Sequence, residues 1–167
     1  VALALMLLFR RASEGLRNLH DEGMVGDYWG SAGAGILFFD HLQRRYLLLL
    51  RSADVLDPGL WGIPGGAIPR RSTTGQLLNP WVAAQNEVLE ETGKRLHDSV
   101  EPDAEVTWHA PNSSFWYKTF LVAVPTFTPR LNWESDDFGW FTQQEVRALG
   151  DELHPGVRWA FTRFRLA

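Results

Sequence analysis

Cysteine is absent from the 167 residues, which excludes disulfides, thiolate metal sites and a cysteine nucleophile. That absence fits a reducing compartment, so a cytoplasmic location is expected. Basic residues are outnumbered: 16 Lys and Arg against 20 Asp and Glu leave a net charge of −4. A chain of that balance lacks the positive field that holds nucleic acid non-specifically, so no DNA partner is expected. A small anionic ligand would need a local device instead, such as a metal ion or a few placed arginines. Long hydrophobic runs are missing as well. The opening "VALALMLLF" falls well short of the roughly 20 residues that span a bilayer, has no positive region ahead of it and no small-residue cleavage site behind it. No membrane partner is expected, and residues 3–22 read as a helix ending near Gly23.

What is present reads as one domain, 1–167, large enough for a hydrophobic core, with residues 1–30 as a helical extension. "GAGILFFDHL" and "RRYLLLLRS" are apolar runs joined by a short polar turn, which predicts a β-hairpin of buried strands over about 34–40 and 45–51. "SADVLDPGLWGIPGG" is punctuated by glycine and proline and reads as a long loop. Asn79-Pro80 predicts a helix start, with Asn as N-cap and Pro at the first helical position, and Gly93 a helix stop. Strands are expected at about 104–109, 115–124 and 138–142, and short helices at 142–149 and 155–165. Alternating strands and helices mean α/β or α+β, with a mixed sheet covered by helices.

The densest chemistry is "NEVLEETG". On a helix, Glu87, Glu90 and Glu91 stand at i, i+3 and i+4 and project from one side within about 5–6 Å of each other. Like charges at that spacing repel and stabilise nothing alone. A solvated acidic helix face is one reading. The other is a hard divalent cation seated among the oxygens, which Mg²⁺ prefers and often shares with a phosphate.

The stretch from Gly65 to Gly93, "GGAIPRRSTTGQLLNPWVAAQNEVLEETG", resembles the Nudix box, G-x5-E-x7-R-E-U-x-E-E-x-G-U. Glu87, Val88, Glu90, Glu91 and Gly93 fall in register, and "WGIPGG" resembles the family's approach to the box. The preceding hairpin, "FWYKTFLV" and "NWESDDFGWF" follow in the family's order, so the resemblance covers most of the chain from about Gly33 onward. Two features depart from the pattern. The box is six residues too long between Gly66 and Glu87, within about Arg71–Asn79, and no acid lies between those two residues. Asn86 stands where the box has arginine. In the family both missing side chains are largely supporting groups.

The resemblance implies a Nudix-like mixed β-sheet sandwiched between helices. It also implies a Mg²⁺- or Mn²⁺-dependent hydrolase cleaving a diphosphate bond in a nucleoside diphosphate linked to another group: a nucleoside triphosphate, ADP-ribose or a nucleotide sugar. It implies that Glu87, Glu90 and Glu91 bind metal with the carbonyl of Gly65, and that Glu87 alternatively orients or deprotonates the attacking water. Glu134 is implied as a further catalytic or metal-binding carboxylate, with Asp136 or Asp137 as substitutes. Arg51, Arg70 and Arg71 are candidate phosphate contacts, and Trp61, Phe115, Trp116 and Tyr117 candidate stacking partners for a base, against the reading that they only pack. A homodimer is allowed for. His109 and His154 have no ligand-type spacing, and "LHPG" reads as a helix start. The extra residues, with Gly75 and polar side chains, are expected to arch outward over or beside the site. A Nudix-fold nucleotide-binding or regulatory module without turnover is the competing reading, motivated by the missing acid and by Asn86. A non-hydrolytic isomerase of the same fold is a weaker one, since there is no cysteine for its acid–base role.

Overall fold

The structure, a computed structural model, describes residues 30–111 and 113–166. The helix expected over 3–22 lies outside the described residues. Seven strands form one mixed sheet: β1 (Ala32–Asp40), β2 (Arg45–Arg51), β3 (Trp61–Gly62), β4 (Gly65–Ala67), β5 (Ala104–His109), β6 (Trp116–Ala123) and β7 (Ser135–Thr142). Its main path runs β3-β2-β1-β6-β5, with β4 paired to β1 and β7 to β2.

The sequence "AGAGILFFD" is buried along almost its whole length because β1 is covered on both faces. It pairs in parallel with β6 from Ala32↔Trp116 to Phe39↔Ala123. On its other edge β2 pairs at Phe39↔Tyr46 and Asp40↔Arg45, and β4 pairs at Gly33↔Ala67, Ala34↔Gly66 and Gly35↔Gly65. The partner of β1 therefore changes midway, and β2 continues alongside β7 instead. A register shift between Leu50 and Arg51 re-aims the end of β2. The hairpin turn is fixed by buried Asp40: Oδ1 accepts the Leu42 and Gln43 N–H groups at 2.9 and 3.0 Å, and Oδ2 accepts from Thr126 N–H and Oγ1–H at 2.7 and 2.6 Å.

One face of β1 (Ala32, Ala34, Ile36, Phe38) forms a core with Ala83, Ala84 and Val88 of helix α1 (Pro80–Thr92). The other face contributes Leu37 to a core with Tyr46 and Leu48. Helices α2 (Gln143–Ala148) and α3 (Pro155–Arg163) close that core with Val146, Val157 and Phe161. Each such apolar side chain contributes about 1.5–3 kcal/mol when fully buried. Asn79 caps α1 by accepting the Trp81 N–H at 2.9 Å, and Gly93 ends it in the left-handed region with its N–H on Leu89 O. His154 starts α3 as the "LHPG" pattern predicts. Among the described residues no helix is long and apolar enough to cross a membrane.

Three expectations need correction. The stretch expected to be a plain loop contains β3 and β4, because Leu49 and Leu50 of β2 and the first half of β1 offer unpaired edges. The strand expected at 138–142 begins at Ser135, extended by pairing with the full length of β2. The extra residues after Gly66 stand out into solvent, exposed from Arg70 to Gln76, but not as an open loop. They close on themselves as a small hairpin, with an Arg70↔Leu77 bridge, Arg71 N–H on Gln76 O, Leu78 N–H on Pro69 O, and Gly75 in the left-handed region.

Candidate active site

The site lies where β1 changes partner. Because β2 leaves β1 there, a cleft opens that Arg51, Val55, Ile63, Gly65, Glu91 and Glu134 line. The cap at Asn79 fixes the phase of α1 and so which residues face the cleft. Glu91 is buried at 5% exposure, and its Oε1 accepts the Gly65 N–H at 2.7 Å. One turn earlier, the Glu87 carboxyl lies on Gly66 so tightly that a β-carbon there would come within 2.7 Å of it. Glu90 is exposed at the rim.

Glu134 arrives from the segment before β7. Asn132 braces it twice, Oδ1 accepting the Glu134 N–H at 2.9 Å and Nδ2 donating to Oε1 at 3.4 Å. Its carbonyl accepts the Ser52 N–H, tying that segment to the end of β2. Next to Ser52, Arg51 donates from Nε and Nη2 to the carbonyl of Leu56.

The electrostatics follow from crowding. Burial pushes Glu87 up to about 7, and the charges of Glu90 and Glu134 push the same way. Burial likewise raises Glu91 well above the carboxylate range, helped by Glu134 and opposed by the Gly65 N–H and Arg51. Glu134 is raised by burial and opposed by the Asn132 hydrogen bond and Arg51. Buried carboxylates that repel one another and meet a single guanidinium are short of positive charge. Among the described residues no three potential ligands converge to metal-holding geometry. The donor set still fits an oxygen-preferring cation that takes its remaining ligands from water and phosphate, as Mg²⁺ does.

The structure brings Glu87, Glu91, Glu134, Gly65 and Arg51 together, with Glu90 at the edge. It takes other candidates elsewhere. The Arg70 guanidinium donates to Gly75 O and Ser31 Oγ at 2.8 and 3.0 Å, and Ser31 stands just ahead of β1, four residues before Gly35 and about 13 Å away along extended chain. Arg71 is exposed in the small hairpin. The Trp61 ring packs edge-on against Phe141 at 4.8 Å between centroids. Phe115 is buried, and Trp116 packs at the edge of the first core. Asp136 and Asp137 are exposed on β7. The Tyr117 ring lies on Gly33, with its hydroxyl against Gly35 and Gly65. That placement is legible only as the alternate glycines of "AGAG", once β6 is known to lie beside them. His154, given no role from spacing, accepts the Gly156 N–H at Nδ1 and meets Asp57 at 3.3 Å through Nε2, which joins the 52–60 loop to α3.

The NUDIX domain profile matches residues 31–161. The chain belongs to the Nudix family. No curated protein sequence matches it. Among solved structures it is similar to a C. elegans Ap4A hydrolase, with 18% identity, TM-score 0.59, and 80% of this chain and 94% of that one covered. A MutT protein from Methanosarcina mazei Go1 is similar at 21% identity and TM-score 0.60, with 86% and 96% covered. A bifunctional NMN adenylyltransferase/ADP ribose pyrophosphatase from Francisella tularensis, complexed with AMP and a manganese ion, is similar at 14% identity and TM-score 0.65. There 95% of this chain but only 47% of that one is covered. These likenesses establish the Nudix fold, with the box glutamates on α1. The chain is a Nudix-type pyrophosphohydrolase by family.

Proposed function

We propose that this Nudix chain cleaves a diphosphate bond in a nucleoside diphosphate linked to another group, with Mg²⁺ or Mn²⁺. The observation that carries the reading is the set of raised carboxylates, Glu87, Glu91 and Glu134, gathered at Gly65-Gly66 opposite Arg51. Glu87, Glu90, Glu91 and Glu134, with the carbonyl of Gly65, would hold the cation. A divalent ion there lowers the pKa of the attacking water and withdraws charge from the phosphoryl oxygens.

The chain's own groups supply the rest. Without a cation, burial and the charges of Glu90 and Glu134 raise Glu87 to about 7; a cation beside it would draw that value down and leave the carboxylate ionised, able to orient or deprotonate the attacking water. Arg51 has donors beyond the two bonded to Leu56, and these meet a phosphoryl oxygen. Of the remaining candidates, Arg70 and Trp61 are already engaged, Arg71 is exposed in the small hairpin, and Tyr117 reaches Gly65 with its hydroxyl. The names of the similar proteins suggest Ap4A and ADP-ribose as first substrates, with nucleoside triphosphates and nucleotide sugars beside them.

A panel of these compounds with Mg²⁺ or Mn²⁺, followed by phosphate and pyrophosphate release and product chromatography, tests the proposal. Cleavage of at least one compound that stops with chelator is expected. Nucleotide binding without cleavage at any metal concentration would instead establish the binding-module reading.

A further inference from the structure

Three glycines make room for one side chain. A β-carbon on Gly33 would lie 2.5 Å from Tyr117 Cδ2, and β-carbons on Gly35 or Gly65 would collide with the Tyr117 hydroxyl. Gly33 and Gly35 alternate on one face of β1, and Gly65 is the partner of Gly35 on β4. Tyr117 itself pairs with Gly33 from β6. The side chain therefore starts on one side of β1, crosses it over bare backbone and ends on the far side at Gly65. Glycine weakens a strand interior, so three of them along one side chain's path mark a close approach that the fold keeps open.

The end point is chemically specific. The Gly65 N–H holds Glu91, and Gly66 carries Glu87. The Tyr117 hydroxyl therefore stands against the stretch of backbone on which both carboxylates rest. A phenol beside carboxylates stays a neutral O–H, a donor at the edge of a group of acceptors. Yet the hydroxyl makes no hydrogen bond to the described residues, and no buried side-chain polar atom among them lacks a partner, so it is not sealed from solvent where it stands against Gly65, itself a residue of the cleft wall. Phenylalanine would fill the same slot by shape. The additional oxygen has no structural use within the described chain.

We propose that the Tyr117 hydroxyl donates a hydrogen bond to a phosphoryl oxygen of the diphosphate ligand seated at Glu87, Glu91 and Arg51. The inference rests on the diphosphate reading above and adds a substrate-contacting donor that acts through its hydroxyl rather than through its ring. A donor in that place complements Arg51: both meet phosphoryl oxygens, but the phenol brings no charge to compete with the cation.

The test compares the full chain with Tyr117→Phe, using two probes in equilibrium binding: methylenediphosphonate with Mg²⁺, and Mn²⁺ alone. Loss of one hydrogen bond to a charged group predicts about tenfold weaker methylenediphosphonate binding, unchanged melting, and Mn²⁺ affinity within about twofold. Gly35→Ala, which forces the hydroxyl away while keeping the phenol, should reproduce the loss. Equal weakening of both probes would assign the hydroxyl to the metal's own shell and overturn the proposal. Unchanged affinity for both in Tyr117→Phe would reduce Tyr117 to packing and overturn it too. A wild-type chain that binds methylenediphosphonate but cleaves no compound leaves the donor standing and removes the hydrolase reading. A wild-type chain that binds no diphosphate removes both.

Discussion

The carboxyl of Glu87 occupies the space a side chain on Gly66 would need: a β-carbon on Gly66 would lie 2.7 Å from Glu87 Cδ and 2.8 Å from each of its oxygens. Gly66→Ala should displace that carboxylate without disturbing the strand pairing of β4. We expect turnover to fall by at least about 10²-fold, the scale set by misplacing a catalytic group by an ångström. The melting temperature should change little. Steady-state kinetics beside a thermal melt would show it, and unaltered kinetics would remove Glu87 from the chemistry.

Glu90→Gln and Glu91→Gln each remove a charge from the cluster while keeping the side chain's shape. In the Glu91 variant the amide oxygen can still accept the Gly65 N–H, so the local fold should persist. Turnover should fall on the order of 10³-fold in each, about 4 kcal/mol of barrier. Full activity in the double variant would sink the metal-site reading.

Glu134→Gln should lower kcat more than it weakens nucleotide binding if this carboxylate helps activate water. Asp136→Asn and Asp137→Asn are the comparison, since both side chains stand exposed on the same strand. A larger defect in either would move the assignment along β7.

Without metal, Glu87 holds a proton more tightly in the folded chain than in the unfolded one, 7 against 4.5. As pH rises through that window the unfolded state gives up its proton first, so folding stability falls. The melting temperature in chelator should therefore drop between about pH 4.5 and 7, and Glu87→Gln should flatten that slope. Added Mg²⁺ should restore stability most at the upper end, where the carboxylate is ionised. A melt series in pH with and without Mg²⁺ measures both effects.

Asp40 works in the opposite direction. Hydrogen bonds from Thr126 and the turn backbone hold its pKa at about 2, below the usual 3.8. Its contribution is present above the ordinary value and is lost as pH falls toward the folded one. Asp40→Asn should lower stability at pH 7 and remove part of the acid-side loss between about pH 4 and 2, read from acid unfolding.

The helix bearing the glutamates was legible because its signals are local: a capping Asn, a Pro after it, a Gly at the end and a spacing of three and four. The same is true of "LHPG" and of the buried strands. What stayed illegible depends on strand pairing. Nothing around Trp61 or Gly65 shows that β1 and β2 part company and leave edges to fill, so two short strands read as loop. Arg70 has the right charge for a phosphate, but its direction is set by Gly75 and Ser31, one across a turn and one just ahead of β1. The path of Tyr117 needs β6, β1 and β4 in register at once. Spacing put Glu87, Glu90 and Glu91 on one side of a helix and the resemblance to the Nudix box added Glu134; only the sheet shows what stands opposite them.

The small hairpin that follows Gly66 satisfies its own backbone. Arg71 bonds Gln76, Leu78 bonds Pro69, and Arg70 returns to Gly75, so the excursion ends beside the place where it began. Loop closure costs rise only slowly with length once the ends are pinned in this way. The tip at Ser72–Thr74 is therefore a natural port for grafting: an epitope, a fluorophore or a tether to a surface can be carried there. The carboxylates would not register the added load.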